Sequence, residues 1–243
     1  ARSLISEGAD INVKAGKNET VASTIFSNPY SELGALIKER GFDPNFVPQG
    51  QTWFLSTAIA RLDIDKVKIF TANGVDVNLR NGTDQSALPM LAKSYRRNRE
   101  DARRNEIFEV LVKAGVDINA TDNYGWTALY LAVQKNDLEF VKALLSKGGN
   151  PDIAGHKGRS AFTDSIKFSR FDLAKLLLKH GANPVDSTVG YPRFEYLLKQ
   201  HRSDARPEEK KQIELLMVDM LKADFVFHLD DLQSRRIYED LAK

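Results

Sequence analysis

Four histidines, His156, His180, His201 and His228, are the residues of this sequence whose type could support metal binding or proton transfer. They are spread along the chain, and none forms a His-x-x-x-His pair or lies at ligand spacing from a carboxylate. The 243 residues include no cysteine, which excludes disulfides, thiolate metal sites and a cysteine nucleophile. The sequence therefore predicts no metal centre and no cofactor.

Two other short stretches resemble catalytic motifs only in part. The segment "AGKNET" at 15–20 lacks the glycine five residues before Gly16 that a phosphate-binding loop requires. Asp230 and Asp231 are adjacent on a predicted helix, so their carboxylates point in different directions and form a poor acid–base pair. We therefore expect a protein that is not an enzyme.

The segment "KSYRRNREDARRNE" at 93–106 is the most basic stretch of the chain. Its net charge of +3 exceeds the +2 of the whole sequence. It could be a nucleic-acid patch, a finger that binds an acidic protein, or a long solvated helix. One basic turn that carries its own acids is a weak electrostatic footprint for nucleic acid. The choice between the other two depends on the architecture.

The architecture is visible in a repeated glycine that ends an amphipathic apolar run, as an αL residue ends a helix. Successive copies are separated by 33, 33, 41, 33 and 33 residues, and four of them are followed by Asp-x-Asn. A fixed period of this length predicts a solenoid of helical repeats. The glycines are Gly8, Gly41, Gly74, Gly115, Gly148 and Gly181.

Each period contains a turn, a helix, a short turn and a second helix. In the clearest unit, "DNYGWTALYLAVQKNDLEFVKALLSKGGNPD", Thr127 can cap the first helix. The second helix carries an apolar stripe of Leu138, Val141, Leu144 and Leu145. Neither helix can bury its stripe alone, so stability requires stacked neighbours.

These residues resemble the ankyrin repeat. The match lies in "DNYGWTALYLA…DLEFVKALLSKGGNPD" and, more loosely, in "GHKGRSAFTDS…FDLAKLLLKHGANP", and the resemblance covers about residues 1–186. Trp53, Ser86 and Ser160 stand where the family usually has its turn threonine. The resemblance implies an all-α, ankyrin-type helix-turn-helix solenoid with short turn or β-hairpin fingers and a helical C-terminal cap.

The period divides the chain into repeats. Residues 1–12 read as the second helix of a truncated unit, so we expect a segment to be missing before Ala1. Full units are predicted at about 13–45, 46–78, 79–119, 120–152 and 153–186, and 187–243 as a degenerate repeat with capping helices. Drifted repeats and the missing cysteine favour a bacterial protein of the cytoplasm or periplasm. No apolar run is long enough to span a bilayer.

The unit at 79–119 is eight residues longer than the others and contains the basic stretch. Shared between two helices, eight residues add about one turn, or about 6 Å, to each. Basic residues would then end the first helix and acidic residues would begin the second, as the helix dipoles favour. A projecting helical hairpin is therefore the favoured interpretation, and a protein contact stays open. The residues of that secondary candidate site are Tyr95, Arg96, Arg97, Arg103 and Arg104.

The resemblance also implies function, because ankyrin-like proteins generally hold another protein on the concave face formed by turn tips and first helices. Aromatic residues and arginine are common at the centre of such interfaces. The candidate residues are Asn123, Tyr124, Trp126, Lys135, His156, Lys157, Arg159, Lys167 and Phe168. For Trp126 the alternative is simple packing against a neighbouring turn.

The cations and aromatic residues of this set predict a protein partner with an acidic surface and an apolar anchor point, bound by a chain that is monomeric alone. Inhibition or chaperoning of a toxin or effector is one role of this kind. The alternatives are recognition of a nucleotide or single-stranded nucleic acid on the same face, or service as the targeting region of a larger enzyme.

Overall fold

A computed structural model describes residues 54–94, 101–183 and 206–222, together with Glu7, Asn45, Leu197 and His201. These residues contain nine α-helices, one 3₁₀ turn and no β-strand, which confirms the predicted all-α fold. The chain divides into two compact units, residues 1–123 and 124–243. In the first unit the helices are α1 (Phe54–Ala60), α2 (Ile64–Ala72), α3 (Ala87–Lys93) and α4 (Asp101–Lys113). In the second they are α5 (Ala128–Gln134), α6 (Leu138–Ser146), α7 (Ala161–Lys167), α8 (Phe171–Lys179) and α9 (Pro207–Lys222), with the 3₁₀ turn at His156–Gly158.

Helices of the first unit pack as two neighbouring pairs. Helix α1 contacts both α2 and α3, while α4 packs against α2 and α3. The interface is apolar, since Leu55, Ile59, Leu88 and Leu91 have no exposed surface. Each helix therefore buries its stripe against its own partner and against the next repeat, as the period predicted.

The described part of the second unit repeats this arrangement, and the last helix described in it is longer than the others. Helix α5 packs against α6 and α7, α8 packs against α7, and α9 packs against α8. Leu144 and Leu145 of α6 are buried as predicted, whereas Leu138 is 39% exposed because it occupies the first position of the helix. Among the described residues no helix is both long and apolar enough to cross a bilayer.

Side chains at the helix starts fix where the first helices begin. The Thr127 hydroxyl accepts a hydrogen bond from the Tyr130 N–H at 3.2 Å, which confirms the predicted cap of α5. Ser160 and Thr163 cap α7 reciprocally, with the Ser160 N–H donating to Thr163 Oγ1 at 2.8 Å. These caps satisfy amide groups that have no acceptor within the helix.

A hydrogen bond between side chain and backbone joins the ends of consecutive repeats. Asn78 Oδ1 accepts from the Asp117 N–H at 2.7 Å, and Asn45 Oδ1 accepts from the Asp76 N–H at the same distance. In the second unit Asp152 Oδ2 takes this role and accepts from the Asn183 N–H at 2.8 Å. The link needs only an oxygen acceptor, so asparagine and aspartate serve equally well.

The long repeat differs from its sequence-based description. Helix α3 has seven residues, the same as α5 and α7, whereas α4 has 13 residues against nine in α6 and α8. The predicted equal division between both helices is therefore wrong, because the described extension lies entirely on α4. Helix α3 ends where its neighbours end, at a Ser94 N–H that bonds to the carbonyls of Met90 and Leu91.

Candidate protein-binding surface

Three aromatic side chains form a stack in the first repeat of the second unit. The ring centroids of Tyr124 and Trp126 are 5.0 Å apart, and those of Trp126 and Tyr130 are 5.2 Å apart. Tyr124, at one end, is 53% exposed, whereas Tyr130, at the other end, is only 1% exposed. This aromatic stack therefore runs from the surface of the turn into the core of the repeat.

Two glycines make room for the stack. Gly125 has a φ of +76°, a left-handed conformation that separates Tyr124 from Trp126 and that other residues adopt at a cost. A Cβ on Gly155 would lie 2.2 Å from Trp126 Cδ1, so the indole lies directly over the backbone of the next turn. The Tyr124 carbonyl accepts from the His156 N–H at 2.9 Å and joins the two turns. Trp126 thus packs against the neighbouring turn. This is the alternative that the sequence analysis set beside a role as an exposed binding residue.

A buried carboxylate holds polar groups around the inner end of the stack. Arg159 donates to Asp164 through Nε at 2.9 Å and through Nη2 at 2.6 Å, and its guanidinium lies 5.8 Å from the Tyr130 ring centroid. Gln134 Nε2 donates to Tyr130 Oη at 2.9 Å and to Asp164 Oδ2 at 3.0 Å. The bidentate pair neutralises Arg159, so its charge is directed into the protein.

These contacts shift the pKa values of two members of the network. Burial, followed by the interaction with Asp164, raises the pKa of the Tyr130 hydroxyl well above its ordinary value. The hydrogen bond to Asp164 raises the pKa of Arg159. Both groups therefore keep their protons throughout the physiological range. Arg159 remains a charged partner of Asp164 rather than a titrating group.

Phe168 is a second exposed aromatic residue, located just after α7 with 45% of its surface accessible. The Arg170 guanidinium carbon lies 5.2 Å from its ring centroid, and Lys167 Nζ lies 6.0 Å from it. Arg170 Nη1 also donates to the Val133 carbonyl of the preceding repeat. An exposed ring is thus flanked by two cations.

The remaining predicted residues of this unit are lysines and one histidine, and most are exposed. His156, Lys157 and Lys167 are exposed, whereas Lys135 is half-buried at the end of α5. Asn123 is exposed and belongs to the first unit. The structure brings Tyr124 close to Trp126 and to the His156 backbone.

Charge is distributed unevenly over this part of the second unit. Residues 124–135 and 155–170 contain a single acid, Asp164, whose side chain is 1% exposed and paired with Arg159. The same segments contain five lysine and arginine residues and His156. The described acids of the second unit that precede α9 and lie outside these two segments are Asp137, Glu139, Asp152 and Asp172. This surface therefore presents positive charge beside exposed aromatic rings.

The secondary candidate site in the long repeat is only partly described. Arg103 is exposed on α4, but Arg104 is 1% exposed. Arg104 therefore cannot belong to an exposed binding surface, because the helix turns its side chain inward. Tyr95, Arg96 and Arg97 lie outside the described residues.

Arg103 also lines a cleft of about 440 Å³ in the first unit. Lys68 and Glu106, which line it too, form a salt bridge at 2.6 Å. Cations and acids are equal in number around the cleft, so its charge favours neither an anionic nor a cationic ligand. The other lining residues are Arg61, Leu62, Asp63, Ile64 and Asp65. Among the described residues no cluster of histidines and acids has the arrangement of a metal site.

Three residues of this candidate surface and its support, Tyr130, Asp164 and Arg170, were not identified from the sequence. Tyr130 and Asp164 lie on faces of short helices, where sequence alone does not distinguish a buried polar residue from a solvated one. Arg170 leaves a clearer signal, because it stands 11 residues before Gly181, where Asp137 stands before Gly148. An alignment of the repeats by their glycines reveals that change of charge.

Comparison with known proteins adds an independent description. Residues 99–188 match the family model for ankyrin repeats in three copies. The human Ankyrin repeat and SOCS box protein 6 is 29% identical over 153 residues, which are 54% of this chain and 35% of that protein. Putative ankyrin repeat protein L92 of Acanthamoeba polyphaga mimivirus is 32% identical over 94 residues, 39% of this chain and 21% of its own length.

A plant relative extends the match along the chain. E3 ubiquitin-protein ligase KEG of Arabidopsis thaliana is 25% identical over 189 residues, 75% of this chain but 12% of the ligase. The chain therefore matches about a third or less of the length of each of these relatives.

Proposed function

The chain carries ankyrin repeats, and from this premise we propose that it binds a partner protein with an acidic surface on the turns and first helices of its second unit. Ankyrin repeats generally mediate protein–protein interaction. The observation that carries the finer proposal is that exposed aromatic rings, Tyr124 and Phe168, and exposed cations occur in the same two segments, whose only acid is buried.

The proposed surface has contact residues and supporting residues. Tyr124 and Phe168 supply exposed apolar area, Lys157 and Lys167 supply exposed charge, and His156 supplies an exposed polar ring. Trp126 and Arg159 support the surface, because one packs on Gly155 and the other is held by Asp164. This division assigns the anchor role to Tyr124 instead of Trp126.

The physical basis of the proposal is electrostatic complementarity around an apolar centre. Exposed cations accelerate the encounter with an acidic protein and set orientation, while the buried aromatic contact determines how long the complex lasts. A toxin or effector held inactive by such a complex is one class of partner that suits a repeat protein of this kind.

Site-specific photo-crosslinking tests the proposal. A photoreactive amino acid at Lys157 is irradiated in extract of the source organism, with the same group at Lys142 on the exposed side of α6 as the matched control. We expect a discrete protein adduct from position 157 that position 142 does not give and that excess unlabelled chain removes. Identical adducts from both positions would exclude this surface.

Single-stranded nucleic acid is the second candidate ligand, because bases stack on exposed aromatic rings beside cations. A mixed-sequence oligonucleotide titrated at several salt concentrations tests it. Nucleic acid binding falls linearly with log salt, by about 0.7 for each phosphate contacted. We expect weak binding at physiological salt, because few exposed cations are present. Tight binding with a steep salt slope would favour nucleic acid over protein.

A role as the interaction part of a longer protein is also proposed from the comparisons. This chain matches 12% of the length of a plant E3 ubiquitin-protein ligase and 35% of a protein that carries a SOCS box. In either arrangement the repeats would select the partner, and any chemistry would belong to segments outside the matched residues.

A further inference from the structure

The start of the second helix has the same backbone in three repeats. Asp63, Asp137 and Arg170 each stand 11 residues before the glycine that ends their repeat. Their N–H groups bond to the carbonyl five residues earlier at distances between 2.7 and 3.0 Å. Each is preceded by a residue of positive φ: Leu62 at 51°, Asn136 at 56° and Ser169 at 54°. Only the side chain distinguishes Arg170 from the two aspartates.

That side chain breaks the local rule for a helix start. The carboxylates of Asp63 and Asp137 accept from the N–H groups of Lys66 and Phe140, both at 3.1 Å. Arg170 makes no capping hydrogen bond, and its cation lies at the positive end of the α8 dipole. A residue that is unfavourable for its own helix suggests another role.

The Val133 carbonyl does not need Arg170 as a hydrogen-bond donor. That carbonyl already accepts from the Asn136 N–H at 3.0 Å and stays bonded if the guanidinium is removed. The contact therefore orients the arginine across the repeat boundary, toward Phe168, rather than filling a vacant acceptor.

The charge of Arg170 is also poorly compensated. Arg159 takes both oxygens of Asp164, and no other carboxylate among the described residues forms a salt bridge with Arg170. Burial lowers the pKa of Arg170, and Asp164 opposes that change only through space. A carboxylate of another molecule would bind more strongly to a half-buried guanidinium beside a solvent-exposed ring than to a fully solvated one.

The neighbouring position departs from the pattern as well. Phe168 stands 13 residues before Gly181, where two other repeats have Arg61 and Lys135. It exposes 45% of its surface at a place where those repeats carry a cation. An exposed ring and an uncapped arginine thus occur together in one repeat.

We propose that Phe168 and Arg170 form a recognition site for an acidic segment of the partner protein. The Arg170 guanidinium binds one aspartate or glutamate side chain through its free N–H groups, and an adjacent apolar side chain of the segment lies on the Phe168 ring. Lys167 adds a second positive charge at the rim. This inference rests on the proposed function and adds to it the residue that reads the carboxylate.

Selection from a random peptide library displayed on phage tests the site without knowledge of the partner. The library is panned in parallel against the full chain and against its Arg170→Asp variant. We expect the parent to enrich peptides with Asp or Glu next to an aromatic or aliphatic residue, and the variant to lose that enrichment. Selection of the same acidic peptides by both proteins would overturn the inference.

Affinity and stability measured together separate recognition from a structural role. Arg170→Asp and Arg170→Asn both supply the cap that Asp137 supplies, so we expect a Tm within about 2 °C of the parent, or higher. Affinity for a selected peptide should fall by about 30-fold or more in both variants. A structural arginine predicts the reverse, a lower Tm with unchanged affinity of the folded fraction, and that result would overturn the proposal.

Two further variants give the controls. Lys142→Asp makes the same change in net charge on the exposed side of α6 and should leave peptide affinity unchanged. Phe168→Ala should weaken the same peptides, whereas equal binding by that variant would overturn the site. If the selected peptides need Arg170 but ignore Tyr124→Ala and Lys157→Ala, the recognition site stands and the wider proposed surface fails.

Discussion

Gly155 is the residue whose replacement tests the aromatic stack most directly. An alanine Cβ there would lie 2.2 Å from Trp126 Cδ1 and 3.0 Å from the Gly125 carbonyl oxygen, so the indole must move. We expect Gly155→Ala to lower the free energy of unfolding by about 1–3 kcal/mol. It should also change the emission of Trp126, recorded in a Trp53→Phe background in which Trp126 is the single tryptophan.

Gly148→Ala is the matched control for that change. Gly148 has a φ of +89° and an added Cβ meets no atom within 4 Å, so alanine there produces backbone strain alone. A loss of about 1–2 kcal/mol with an unchanged Trp126 emission spectrum is the expected result. Equal spectra for both variants would mean that the indole does not lie over Gly155.

Tyr130 predicts a specific response to alkaline pH. Its pKa is raised in the folded protein by burial and by Asp164, whereas an unfolded tyrosine ionises at about 10. The folded state therefore keeps a proton that the unfolded state releases. The contribution of the protonated Tyr130 to the free energy of unfolding is complete below about pH 10. It is lost as the pH rises through the pKa of Tyr130 in the folded protein.

Tyr130→Phe should consequently flatten the fall in stability above about pH 10, because its ring still stacks but no longer ionises. Urea unfolding at neutral pH and at about pH 10.5 measures the difference, with Tyr124→Phe at the exposed end as the control. At neutral pH the lost hydrogen bonds cost about 1 kcal/mol. A parallel alkaline loss in the parent and in Tyr130→Phe would contradict the assigned environment.

Single residues show where sequence reasoning reaches its limit. The aromatic and basic composition of the turns was readable, so Tyr124 and Phe168 were found as candidates. The inward direction of Arg104 was not, because a basic stretch reads as solvated until the face of its helix is known. Trp126 shows the same difficulty, since exposure depends on Gly155 in the next repeat.

At the scale of elements, the extension of α4 leads to a deletion experiment. Residues 95–102 are the eight that separate the long repeat from the 33-residue period, if α3 and α4 are aligned with α5 and α6. The deletion joins Ser94 to Arg103, and Arg103→Asn with Arg104→Asp then reproduces Asn136 and Asp137. We expect a folded protein, because Ile107, Phe108 and Leu111 keep their places in the core.

Circular dichroism and thermal unfolding measure the outcome of that deletion. A helical spectrum with a cooperative transition is expected, as is continued binding of any peptide selected by the second unit. Deletion of eight residues from α6 and its preceding turn is the contrasting variant, and it should not fold because it removes buried Phe140 and Val141. Loss of folding in the first deletion would show that the segment packs against the repeats.

The elements themselves were largely predictable, and the reason is the period. A glycine every 33 residues fixes where each second helix ends, so α6 and α8 were placed correctly from Gly148 and Gly181. The division of the long repeat was not predictable from charge, because basic residues suit the end of one helix and also the exposed face of the next. Hydrogen bonds from the Ser94 N–H decide it in favour of a short α3.

For the whole molecule, net charge is a poor guide to function. The sequence sums to +2, yet residues 124–135 and 155–170 carry one buried acid among five lysine and arginine residues. The period gives the family likeness and the all-α fold. It does not identify the partner, because the proposed recognition depends on residues that depart from the repeat, namely the exposed Phe168 and the half-buried Arg170.

The oxygen-to-amide links between repeats have a mechanical consequence. Each of these short hydrogen bonds holds one repeat to the next, as between Asn78 and Asp117 and between Asp152 and Asn183. Under tension applied to the chain ends, such a hydrogen bond and the packing beside it should be lost together. We therefore expect the chain to extend in discrete steps. A 33-residue repeat releases about 110–120 Å of chain and the 41-residue repeat about 135–150 Å. Optical-trap traces should therefore contain one unfolding step that is longer than the others. Asn78→Ala should lower the force at which one of the unfolding steps occurs.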